Sequence, residues 1–242
     1  MIMLFNIISF IVSCVLVLAY YLYLGRKSRR APGSRVHALN AKIRARWVHR
    51  VMSSGKMDIL AIQTIRNSLM AANFMATTAV LLIIGILNLS DKIVEWTQES
   101  RFSLLANSAT AELWYFSTAE LWYFKIGLLV LNYAFAFYCF STSIRFFNHV
   151  GYMINLGCDI QIEETIFKQT CAYLNRAGSY YMYGTRAFFF SLPVIMWFFG
   201  PIFLIPATVA LIAGLAVLDK VPKCDLYEAD RAFITGQSGE LL

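Results

Sequence analysis

Residues 187–218 read AFFFSLPVIMWFFGPIFLIPATVALIAGLAVL, thirty-two positions without one charged side chain. A crossing of the hydrocarbon layer by an α-helix takes about 20 apolar residues, so this run is long enough for one crossing and too short for two ideal ones. Pro193, Pro201 and Pro206 interrupt it, and each removes a backbone donor that a helix needs. The run is therefore expected to be one tilted, kinked span, with a broken helix as the alternative.

Three further apolar runs lie outside it, at 2–24, 69–89 and 121–143. The composition agrees with lipid as the solvent. Of 242 residues 59% are hydrophobic and 14% charged, against about 25% charged in an ordinary soluble domain. These observations predict an all-α integral membrane protein with about four transmembrane helices, joined by amphipathic cytoplasmic or interfacial helices. The first run has no basic stretch before it and is followed by Arg26, Lys27, Arg29 and Arg30. It reads as a retained anchor with its N-terminus outside, since a removable signal carries its positive charge in front.

Charge fixes the expected orientation. Between Gly25 and Ser68 there are eleven Lys or Arg residues and one acid, Asp58. With segment 145–186 the cytoplasmic parts hold +11, and all remaining positions, the outer loop 90–120, Lys125 and the outer tail 219–242, hold −4. Lys and Arg collect on the cytoplasmic side of membrane proteins. Both termini are thus expected outside, in what reads as a bacterial inner (plasma) membrane. The net charge of +7 would suggest nucleic acid in a soluble protein, but no nucleic-acid module surrounds the basic loop, and anionic membrane lipid is the expected partner.

The basic segment 35–66 carries most of these charges. After Ala31-Pro32-Gly33-Ser34, the residues Val36, Leu39, Ile43, Trp47 and Val51 recur at helical spacing. Lys42, Arg46 and Arg50 form a row at i, i+4, i+8 on another side. An apolar stripe flanked by cations suits a helix lying among lipid headgroups; the competing reading packs it on the rest of the protein. Ser54-Gly55 ends it. In the next helix Ser68, Ala72 and Ala76 make a ridge of small side chains, which in lipid permits close approach of another helix, either from this chain or from a second subunit.

The outer loop holds a tandem repeat, Thr110–Phe116 and Thr118–Phe124, each reading TAELWYF. Its Trp and Tyr residues suit the membrane interface. Lys125 follows and is expected to snorkel to the headgroups. In the second cytoplasmic segment a helix is expected over 161–177, after which Gly178, Gly184 and the tyrosines at 180, 181 and 183 lead back to the bilayer.

Three stretches match a known family. They are Gln63-Thr-Ile-Arg66-Asn67-Ser68-Leu-Met70-Ala71, Arg145-Phe-Phe-Asn148-His149, and Gly184-Thr-Arg186-Ala187-Phe188 running on to Trp197-Phe-Phe199-Gly200-Pro201. The chain resembles the membrane family named domain of unknown function 599, from about Trp47 to Asp219. The resemblance implies a multi-pass helical protein and no reaction.

The matched polar residues share one depth. Arg66, Asn67, Arg145, Asn148, His149 and Arg186 all fall where a span meets the cytoplasmic interface, where like charges need compensation. Acids and helix carbonyls could tie them into a structural latch, or an anion or lipid headgroup could sit among them. No GxSxG, Walker A, GxGxxG, HExxH or CxxC motif occurs, so no catalytic residue, metal or cofactor is expected. Five dispersed cysteines suggest no internal disulfide. The functional expectation is a non-enzymatic scaffold, accessory or assembly subunit, alone as a homo-oligomer or within a larger membrane complex. A homo-oligomeric channel or transporter is the alternative, and an enzyme acting on a lipid or quinone comes third.

Overall fold

Backbone polar groups in hydrocarbon must be satisfied within the chain, which leaves long uninterrupted helices as the way across for a sequence of this composition. In the computed structural model, which describes residues 2–30, 36–54, 58–98, 119–154 and 160–220, every regular element is a helix. They are α1 (Ile2–Arg30), α2 (Val36–Ser54), α3 (Asp58–Gln98), α4 (Ala119–Met153), α5 (Ile160–Phe199) and α6 (Pro201–Leu218). All except α2 are long and apolar enough to cross a membrane. Large apolar side chains such as Leu4, Ile11, Phe74, Leu81, Leu131 and Val217 face outward, an arrangement that only lipid tolerates. The chain is an all-α, multi-pass integral membrane protein.

The crossing helices form an arc. α1 packs on α6, α6 on α5, α5 on α4 and α4 on α3, while α2 leans against α5. Among the described residues no broad seam joins α1 to α3. α4 and α5 approach closely at Gly184, where the Phe140 ring lies so near that a Cβ would be 2.8 Å from it. Buried Ala72, Ala76 and Ala79 mark the inner face of α3, and Ala76 clusters with Ala136 and Phe140 of α4. The ridge of small side chains is thus used within the chain. Its first member, Ser68, is half-buried and donates to the Thr64 carbonyl at 3.1 Å.

The run 187–218 is not a single kinked span. α5 continues through the buried Pro193 and stops at Phe199, and α6 begins at Pro201. Between them Gly200 takes φ 146° and ψ 157°, a conformation essentially confined to glycine. Pro201 then opens α6, where its missing donor costs nothing. α6 runs back along α5, so Asp219 returns to the level of Arg186. α1 lies alongside with the same two reference points. Asn6 accepts from Trp197 Nε1 at 3.0 Å near the Gly200 end, and Tyr20 donates to Asp219 at 2.7 Å at the other. With α5 and α6 antiparallel, Asp219 and Lys220 lie at the end of the hairpin away from Gly200. Both sit at the Arg186 end.

Two other expectations change. The helix expected over 161–177 does not give way at Gly178 and Gly184; α5 passes through both, because they make room for Arg44 and Phe140 rather than for a turn. Lys125 does not snorkel outward. It is 3% exposed, donates to the Trp197 carbonyl at 3.0 Å and lies 4.7 Å from the centre of the Trp197 ring. That carbonyl belongs to the last turn of α5 and also accepts from the Gly200 N–H at 3.2 Å; a cation is favoured at this end of a helix. The first copy of the tandem repeat, Cys158, Asp159, Cys224 and the tail 221–242 lie outside the described residues.

Gly200→Ala should lower the stability of the detergent-solubilised protein by about 1–3 kcal/mol. Gly214→Ala, at an α6 position with open space around it, should leave it unchanged or raise it. Thermal unfolding of the two variants checks the pair.

Candidate functional site at the basic end

Beyond Arg186 the helices continue as a bundle. Val48 and Val51 of α2 are buried with Ala61 and Ile65 of α3, Phe147 and Val150 of α4, and Leu174 and Ala177 of α5. The inner face of α2 is therefore covered by protein, with Trp47 packed against the same cluster. Ile43 remains exposed, and the row Lys42, Arg46 and Arg50 is exposed on another side.

Between this bundle and the α1–α6 pair lies a cavity of about 1310 Å³. All six helices line it. Its walls are chiefly apolar, including Leu24, Ile43, Phe189 and Leu218. Its charged lining residues are Arg44, Arg186, Lys220 and Asp219, three cations and one acid.

The acid is already engaged. Arg186 Nη2 pairs with Asp219 Oδ1, and Tyr20 donates to the second carboxylate oxygen. Arg186 Nη1 donates to the Tyr21 hydroxyl at 3.3 Å. The two charged side chains are only 16% and 15% exposed, so neither can turn to water without the other losing its partner.

Arg44 is compensated differently. Its Nε donates to Asn175 Oδ1 at 2.9 Å, and Nη1 lies where a Cβ on Gly178 would be 2.5 Å away. The Nη2 group is buried and finds no hydrogen-bond partner among the described residues. Burial pushes this guanidinium below its ordinary range, because desolvation disfavours a charge that no acid offsets.

The six interface residues singled out in the sequence divide between two places. Arg186 and Asn67 line the cavity. Arg66, Arg145, Asn148 and His149 are exposed and lie outside its lining; the His149 ring rests 5.6 Å from Tyr173. Arg44, Asp219, Tyr20 and Tyr21 belong to the site and were not anticipated. One signal was available for Arg44. It falls at i, i+4, i+7 with Val48 and Val51, on the inward side of α2. Among the described residues no three His, Cys, Asp or Glu side chains come together as a metal site.

A family model described as "Protein of unknown function, DUF599" matches residues 8–223. The chain belongs to this family. The match takes in α1 from residue 8 onward and the whole of α2 to α6, and with them every residue of the Arg186–Asp219 cluster. Comparison with curated proteins and with solved structures gives no match.

In this DUF599 member, Arg186→Ala or Asp219→Ala should each cost about 3–5 kcal/mol of stability, as expected when one partner of a largely buried ion pair is removed. The exchange Arg186→Asp with Asp219→Arg should recover part of that loss. Thermal melts of both single variants and the exchange check the coupling.

Proposed function

We propose that this protein is a non-enzymatic membrane scaffold or accessory subunit whose basic end rests on an anionic cytoplasmic leaflet. One observation carries the reading. The exposed cations Lys42, Arg46, Arg50, Arg66, Arg145 and Arg176 belong to the part of the molecule beyond Arg186, while the opposite end is an apolar hairpin at Gly200. Each exposed cation near an anionic surface is worth about 1 kcal/mol of attraction, so such a cluster orients the protein strongly.

The proposed topology has five crossings, with the N-terminus outside and Asp219 inside. Segment 219–242 holds three bases and five acids. Counting it inside gives +9 for the cytoplasmic parts and −2 for the rest, and the positive-inside asymmetry survives.

The channel or transporter reading gains less support. Broken helices in transporters leave half-helix ends facing a substrate at mid-membrane. Here the break lies at a turn, and Lys125 of the same chain occupies the Trp197 carbonyl.

Native mass spectrometry of the protein, extracted gently from its own membrane, tests the proposal. Unrelated subunits at fixed stoichiometry, with anionic lipid retained, are the expected result. A closed ring of identical chains would overturn it and put a pore between copies first.

A further inference from the structure

Among the described residues the arc of helices leaves its concave side uncovered between α1 and α3, because no broad seam joins them. The cavity occupies that side at the basic end, and residues of both helices line it, Leu24 and Gly25 from α1 and Ser68 and Ala71 from α3. Ala71 is exposed. The cavity thus combines apolar walls at the bilayer boundary with an excess of cations deeper in. Its one lining acid is held by Arg186 and Tyr20, so Arg44 has no anion to face among the described residues. The Arg44 guanidinium is held in place, by Asn175 on one side and the bare backbone of Gly178 on another, with one buried N–H group unanswered.

A buried donor without an acceptor costs about 1–3 kcal/mol, more when charged. Phosphate oxygens are the acceptors a guanidinium matches best. Apolar walls beside such a donor suit a molecule that carries acyl chains with its phosphate. A small hydrated anion would leave those walls wetted for no gain.

We infer that the cavity is the binding site of a single anionic phospholipid, its phosphate held by Arg44 beside Asn40 and Tyr181, its acyl chains leaving between α1 and α3. This rests on the reading of the basic end as lipid-facing, and assigns a role to Arg44 that the exposed row does not share. Arg186 is not a headgroup ligand, since Asp219 already neutralises it. Gly178 is the complement of Arg44. Any side chain there displaces the guanidinium.

The test is a lipid titration of the purified, delipidated full chain, with bound lipid counted by native mass spectrometry. The probes are dioleoyl-phosphatidylglycerol, dioleoyl-phosphatidylcholine and inorganic phosphate. One phosphatidylglycerol per chain should bind at least tenfold more tightly than phosphatidylcholine, a difference of the size expected for one charge-assisted contact. Millimolar inorganic phosphate should not displace it. Arg44→Gln should erase the preference, while Arg46→Gln on the exposed row keeps it. Ala71→Phe, which fills the rim and leaves Arg44 intact, should also abolish the tight site; it guards against an Arg44 variant that does not fold.

A preference that persists in Arg44→Gln and Ala71→Phe but disappears when Lys42, Arg46 and Arg50 are all changed to Gln would overturn this site and leave the lipid-facing basic end standing. Absence of any anionic preference in the unaltered protein would overturn both. Displacement by inorganic phosphate would overturn the lipid and leave a soluble anion as the ligand.

Discussion

The Arg186–Asp219 pair joins parts of the chain that otherwise have little reason to meet. Arg186 lies in the second half of α5, and Asp219 follows the last turn of α6. Their contact requires α6 to fold back along α5, and Tyr20 and Tyr21 bring α1 into the same cluster. Away from water an arginine without a counter-charge is costly, so the pair holds the hairpin closed at the end opposite its turn. Gly200 permits the turn, and Lys125 adds a second donor to the Trp197 carbonyl that already accepts from the Gly200 N–H. The two ends of the hairpin are thus each fixed by a basic side chain, one answered by a carboxylate and the other by a backbone acceptor.

The cavity follows from this arrangement. With α6 drawn back and α1 pinned to it, the α1–α6 pair lies on one side of α5 while α4 and α3 lie on the other. A closed bundle would have filled the space between them with side chains. The arc leaves it open, and α2 stands over it with Arg44 turned inward and Lys42, Arg46 and Arg50 turned outward. One short helix therefore presents two basic faces in different surroundings, and the inner one is held by Asn175 and Gly178.

Much of this was legible in the sequence, because hydrocarbon allows few solutions. Four apolar runs and the charge asymmetry gave the helical membrane class, and the small residues of α3 marked a packing face. The hairpin was hidden by arithmetic. Thirty-two apolar residues fall short of two crossings, yet the crossing of α5 begins before Ala187, among tyrosines whose hydroxyls disguise an aromatic, membrane-compatible stretch. Gly178 and Gly184 were read as part of the way back to the bilayer after a helix ending at 177, when their use is close approach, which only the neighbouring helix reveals. Asp219 was read as the start of an outer tail for the same reason that the run was read as one span. Arg44 was passed over because its neighbours at 42, 46 and 50 form the more obvious row, although its spacing to Val48 and Val51 put it on the buried side.

The account stands or falls on the side of the membrane where Asp219 lies. The direct measurement places single cysteines at Lys42, Phe199 and Lys220 in a background without Cys14, Cys139, Cys158, Cys171 and Cys224, and labels them with a membrane-impermeant maleimide. Intact cells and inside-out vesicles expose opposite sides. The account predicts that position 220 labels in the same preparation as position 42, and position 199 in the other. Labelling of position 220 together with position 199 would contradict it, and with it the hairpin and the Arg186–Asp219 pair.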